Sequence, residues 1–126
     1  MDFNDNKPIY LQLADQIMDE VAANDISDSK RLLSVREYAA NVGVNANTVM
    51  RTYTWLQQEE VIYNQRGIGY FYSPGARDKV REIRRRELME KEIKVFIERL
   101  ISADISPDDF KRIYDDYLRT AKAGRK

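Results

Sequence analysis

Ile9, Leu13, Ile17 and Val21 recur at four-residue steps, with Ala14 and Met18 beside them. That spacing puts them on one helical face and predicts an amphipathic helix from Pro8 to about Asn24. Pro8 suits the first helical position, where a missing N–H leaves no bond unmade. The polar run Asn24–Lys30 follows and reads as a loop. A second, short helix is predicted from Ser34, because Ser34-Val35-Arg36-Glu37 has the spacing of a capping box. Tyr38, Ala39 and Val42 give this helix an inward face, and Gly43 supplies its left-handed stop. Asn45 then caps a third helix running to about Glu59, with Val49, Tyr53 and Leu56 as its buried stripe.

Beyond Glu60 the period drops to two. Val61–Gln65 and Tyr70–Tyr72 are β-prone runs joined by Arg66-Gly67-Ile68-Gly69, which predicts a hairpin. Two helices joined by a tight turn and followed by a hairpin make the order of a winged helix. Ser73-Pro74-Gly75 reads as a linker. From Arg77 to about Ser102 the chain is helical again, with few apolar residues before Leu88. Ser106-Pro107-Asp108-Asp109 then starts a last helix that runs to about Ala121, with the acids placed to suit the helix dipole. The expected fold class is therefore mainly α with a small β-hairpin. A winged helix-turn-helix domain over residues 1–74 is followed by a C-terminal αα-hairpin over residues 75–126. Ile93, Phe96, Ile97 and Leu100 on one tail helix, with Phe110, Ile113, Tyr114, Tyr117 and Leu118 on the other, fit a two-fold dimerisation interface. Packing of this stripe back onto the same chain's winged domain is the alternative.

Composition narrows the chemistry. The chain has no cysteine and no histidine, which removes disulfides, thiolate metal sites and the usual nucleophile–base sets. No catalytic residues, no metal and no cofactor are expected. No apolar run reaches the length of a membrane span, and Met1–Tyr10 is polar and acidic, unlike a secretory signal. A cytoplasmic protein without a membrane partner is expected. Residues 1–76 carry six Lys/Arg and ten Asp/Glu, a net charge of −4, balanced by +4 over residues 77–126. Binding to nucleic acid must then rest on where a few cations stand.

The start of the third helix has the residue types a recognition helix needs in the major groove. Asn47 can pair with an adenine edge, Thr48 can donate to phosphate, and Asn45 suits either a contact or a plain cap. Arg51 lies one turn further on. Arg36 stands two residues past the cap of the preceding helix, where a phosphate contact and a surface ion pair are both open. Arg66, with Gly67 and Gly69, forms a hairpin tip compact enough to approach a minor groove. Trp55 falls off the buried stripe of its helix and is expected to pack near Val80 or Ile83, an exposed indole being the alternative.

Four stretches taken together resemble the winged-helix domain of the GntR family of bacterial regulators. They are Pro8-Ile9-Tyr10, Leu32–Ala39, Val44–Val49 and Arg66–Phe71. The resemblance implies binding of double-stranded DNA as a homodimer, with contacts at Arg36, Asn45, Asn47, Thr48, Arg51 and the Arg66–Gly69 wing. It implies a sequence-specific transcription regulator, the other reading being a winged-helix module that binds protein. The short paired-helix tail resembles the YtrA-type subgroup, and no effector can be named. Leu33 and Glu60 stand where the family usually has Pro and Gly. Ala46 and Met50 stand where many relatives carry a cation or polar group, which bears on base preference more than on fold.

Overall fold

The computed structural model describes residues 7–23, 26 and 30–124. The segment Met1–Asn6 and most of the loop expected at Asn24–Lys30 lie outside the described residues. Six α-helices and one two-stranded sheet are described. The first unit, up to Arg85, contains α1 (Ile9–Ala23), α2 (Val35–Val42), α3 (Ala46–Gln58), β1 (Ile62–Gln65) and β2 (Gly69–Tyr72). It also takes in most of α4 (Ala76–Glu87). The second unit, from Arg86 onward, contains a π-helical turn over Leu88–Glu92, then α5 (Ile93–Ser102) and α6 (Pro107–Gly124).

The core of the first unit follows the predicted stripes. Leu13, Ala14, Ile17, Met18 and Val21 of α1 meet Val49, Tyr53 and Leu56 of α3, and all are buried. Each large side chain removed from water contributes on the order of 1.5–3 kcal/mol. Ile9 is the exception, 43% exposed at the first turn of its helix. Thr52 is fully buried, and its hydroxyl donates to the Tyr10 carbonyl at 2.8 Å, which ties α3 to α1. The first core does not stop at residue 74. Ala76, Val80 and Ile83 of α4 are buried in it. Arg84 donates to the Asp15 carbonyl at 3.2 Å and pairs with Asp19 at 2.5 Å, while Arg77 donates to the Ala22 carbonyl at 3.1 Å. The compact unit thus extends past the boundary drawn in the linker, because α4 lays an apolar face on α1.

Local signals set the helix ends. The Ser34 hydroxyl accepts from the Glu37 N–H and the Glu37 carboxylate accepts from the Ser34 N–H, at 3.1 and 3.0 Å. Gly43 takes a φ of 73° and its N–H donates to the Ala39 carbonyl. Glu60, just after α3, also lies in the left-handed region, at φ 64°. Its carboxylate pairs with Lys79 at 3.1 Å.

The hairpin is antiparallel, pairing Ile62 with Tyr72 and Gln65 with Gly69. Its connection is one residue shorter than the sequence implied, because Gly69 belongs to β2. Residues 30–32 add a short edge that the alternation did not show. The Tyr72 N–H donates to the Lys30 carbonyl at 2.8 Å and the Leu32 N–H to the Tyr70 carbonyl at 2.9 Å, with Arg31 bridged to Phe71.

The second unit is two helices joined by a turn, with no buried side chain among its described residues. Ser106 and Asp109 form another reciprocal cap at the start of α6. Phe96 meets Phe110 edge to face at 5.8 Å, and Phe110 meets Tyr114 at 6.0 Å.

Candidate nucleic-acid interface

Asn45 adopts extended backbone angles and its side-chain oxygen accepts from the Asn47 N–H at 2.8 Å. It is a cap, with one acceptor already committed. The capping geometry leaves the Asn47 side chain exposed at the first turn of α3. Thr48 is half-buried beside it, and its carbonyl lies 3.2 Å from the Thr52 hydroxyl. Arg51 is exposed, and its guanidinium stacks over the Tyr10 ring, 4.2 Å from the centroid. Arg36 is exposed on the first turn of α2. Arg66 and Gly67 are exposed at the hairpin tip, where Gly67 has a φ of 80°.

The wing has a support that sequence reasoning missed. The Arg31 guanidinium donates to the Ile68 carbonyl at 2.9 Å. Gly69 has a φ of 147°, and a Cβ built there would lie 3.1 Å from Arg31 Nε. The glycine therefore serves both the backbone angle and the passage of Arg31. The single available signal was an arginine just before the second helix, which carries no information about a partner some forty residues on.

Tyr53 ties α3 to the segment just before α2. Its hydroxyl donates to the Leu33 carbonyl at 2.7 Å, and burial holds its ionisation far above the usual phenol range. Its ring meets Tyr70 edge to face at 4.9 Å. The Tyr70 hydroxyl in turn donates to the Met50 sulfur at 3.8 Å, so α3 and the hairpin are packed together. Trp55 is half-buried against the core cluster that includes Val80 and Ile83.

The negative net charge of this unit is distributed unevenly. Asp15 pairs with Lys7 at 2.6 Å and Asp19 with Arg84. Arg31, Arg36, Arg51 and Arg66 are in no salt bridge among the described residues. Cations without an acidic partner among the described residues thus include one each on α2, α3, the wing and the edge that supports the wing.

No family model matches the chain. It is 36% identical over 94 residues to the HTH-type transcriptional regulator YhcF of Bacillus subtilis, covering 73% of this chain and 78% of that protein. A GntR-family regulator from Bacteroides thetaiotaomicron superposes with a TM-score of 0.78 at 38% identity, covering 90% of this chain and 99% of that one. The chain belongs to the GntR family of transcription regulators. As a GntR regulator it also matches YtrA from Sulfolobus acidocaldarius over 100% of this chain and 98% of that one, with a TM-score of 0.55 and 28% identity. The expected likeness to YtrA-type members of the GntR family is therefore met along the whole chain. Among the described residues no helix is long and apolar enough to cross a membrane.

Proposed function

We propose that this GntR-family chain is a cytoplasmic, non-enzymatic regulator that binds double-stranded DNA sequence-specifically, as a homodimer on a two-fold operator. The observation that carries the reading is the set of four arginines without acidic partners among the described residues, placed on the elements a winged helix turns toward DNA. In this reading Asn47 reads a base edge, with Thr48 and Arg51 beside it at the groove. Arg36 holds a phosphate, and Arg66, Gly67 and Gly69 approach the minor groove. Asn45 acts through its cap. Repression is the direction of control that the name of a relative supports, the repressor YtrA of Bacillus subtilis.

The residue boundary of the DNA-binding part follows the first compact unit, and the second unit supplies the dimer surface. Phe96, Ile97, Ile113, Tyr114, Tyr117 and Leu118 are all exposed there. Ile93, Leu100 and Phe110 are half-buried beside them. A face of this apolar character is stable in water when another copy covers it.

The test is a titration of the full chain against duplexes selected from random sequence, repeated at several salt concentrations. A selected motif with two-fold symmetry, and an affinity that falls steeply with salt, are expected. Binding that is insensitive to salt, or enrichment of no motif, overturns the reading and favours a protein partner.

A further inference from the structure

The first unit holds a cavity of about 360 Å3, within the range of small-molecule sites. Ile17, Leu32 and the ring of Tyr53 give it apolar lining. Tyr38 and Tyr72 add two phenols. Glu20, Lys30 and Arg31 also line it, and all three are exposed, so charges of both signs stand at its opening.

Tyr72 is only 6% exposed, yet its hydroxyl has no hydrogen-bond partner among the described residues. A buried phenol ordinarily finds one. No buried side-chain polar atom lacks a partner among the described residues, so this hydroxyl still reaches open space, and the cavity it lines is that space. Burial first, and then the nearby Glu20 charge, push the Tyr72 phenol up to about 12 and raise Tyr38 in the same way. The field of the Glu20 carboxylate therefore falls on both phenols.

We propose that this cavity binds an apolar α-amino acid. The ammonium group meets the Glu20 carboxylate and donates to the Tyr72 hydroxyl, beside the electron-rich face of Tyr38. The carboxylate meets Lys30 and Arg31. The side chain covers the apolar lining. A ligand with charge of one sign alone leaves either Glu20 or the two cations opposed to it, whereas a zwitterion complements both.

Arg31 couples the cavity to the wing. Its residue lines the cavity while its guanidinium donates to the Ile68 carbonyl, and a carboxylate is a stronger acceptor for that group than a neutral carbonyl. A bound amino acid therefore draws Arg31 from the wing and lowers affinity for DNA. This coupling rests on the DNA-binding reading above, whereas the binding site itself does not.

The experiment uses the full chain with L-leucine and L-phenylalanine as probes, followed by thermal unfolding and calorimetry. At about 10 mM, at least one of them is expected to raise Tm by about 2 °C or more. N-acetyl-phenylalanine, without the ammonium charge, and phenethylamine, without the carboxylate, should bind at least about tenfold more weakly. Glu20→Gln and Tyr72→Phe should each weaken the amino acid while leaving DNA binding in its absence unchanged. No Tm shift and no heat with either amino acid overturns the site, as does unaltered binding by both variants. Saturation that leaves operator affinity unchanged overturns the coupling through Arg31. A protein that binds the amino acid but never DNA would instead sink the reading under the previous heading.

Discussion

The Arg51 guanidinium rests 4.2 Å from the centroid of the Tyr10 ring, so a cation of α3 is held by the first turn of α1. Tyr10 is itself fixed, because its carbonyl accepts from the buried Thr52 hydroxyl. Removing the ring frees the arginine without removing its charge. Tyr10→Ala is expected to weaken operator binding about two- to fivefold, matching a stack of about 0.5–1 kcal/mol at an exposed site. Tyr10→Phe should bind like the parent protein. A titration in which the alanine variant also binds like the parent would show that Arg51 does not need the stack.

The two asparagines of the recognition helix should separate cleanly. Asn45→Ala removes a cap and should cost about 1 kcal/mol of stability in a denaturant melt. Asn47→Ala should leave stability nearly unchanged but cost about 1–3 kcal/mol on the best operator and little on scrambled duplex. Arg66→Ala should weaken both duplexes alike and lower the salt slope by about one phosphate. Equal losses for Asn47→Ala on both duplexes would reassign that side chain to a phosphate.

Glu60 occupies the left-handed region at φ 64°, where a side chain is disfavoured by about 1–2 kcal/mol. Glycine there removes the steric cost but adds unfolded-state freedom and gives up the exposed Lys79 pair. The expected net result is a gain of about 0.5–1 kcal/mol for Glu60→Gly. Equilibrium urea unfolding checks it, and a loss would mean that the Lys79 pair outweighs the backbone.

The reciprocal caps at Ser34/Glu37 and Ser106/Asp109 make stability sensitive to acid. The Ser34 backbone N–H, and then its hydroxyl, hold the Glu37 carboxyl below its ordinary value of 4.5. The Ser106 N–H and hydroxyl likewise hold Asp109 below 3.8. A folded-state value below the unfolded one means the contribution is complete above the ordinary value and is lost as pH falls through the folded one. Stability should therefore decline below about pH 4.5. Glu37→Gln should flatten part of that decline in unfolding curves taken between about pH 7 and 3. An unchanged acid limb would mean that Glu37 makes the same bonds in the unfolded chain.

A homodimer should dissociate when its apolar face is charged. Light scattering of the parent protein should give twice the 14.8 kDa of one chain. Ile113→Asp with Tyr117→Asp should give a single chain whose winged unit stays folded by circular dichroism. A parent protein of one-chain mass at micromolar concentration would remove the dimer from the proposal.

Much of the fold was legible because its signals are local. Ser34 with Glu37, Gly43 and Asn45 mark helix ends within four residues of sequence, and the stripe Val49, Tyr53, Leu56 needs only a period. What stayed hidden depends on contact between distant segments. Arg31 looks like any surface cation until Ile68 is seen beside it, and Thr52 like an ordinary helix residue until Tyr10 accepts its proton. Val80 and Ile83 were expected near Trp55, but they lie in a run dense with charge, so their full burial in the first core and a domain boundary beyond residue 74 were not read from them. The π-helical turn at Leu88–Glu92 contains neither Gly nor Pro, the residues from which an irregularity would be read. At the candidate site the residue types and the Asn45 cap were readable, but the stack of Arg51 on Tyr10 was not.

Arg31 and Gly69 also share one small volume. A side chain at position 69 would take the space through which the guanidinium passes, and a shorter residue at position 31 would leave the Ile68 carbonyl without its donor. Neither position is then free to drift while the other stays. Among descendants of this chain, the two sites should change together or not at all, as a compensated pair. Wherever position 69 has gained a Cβ, the wing should have found another way to be held.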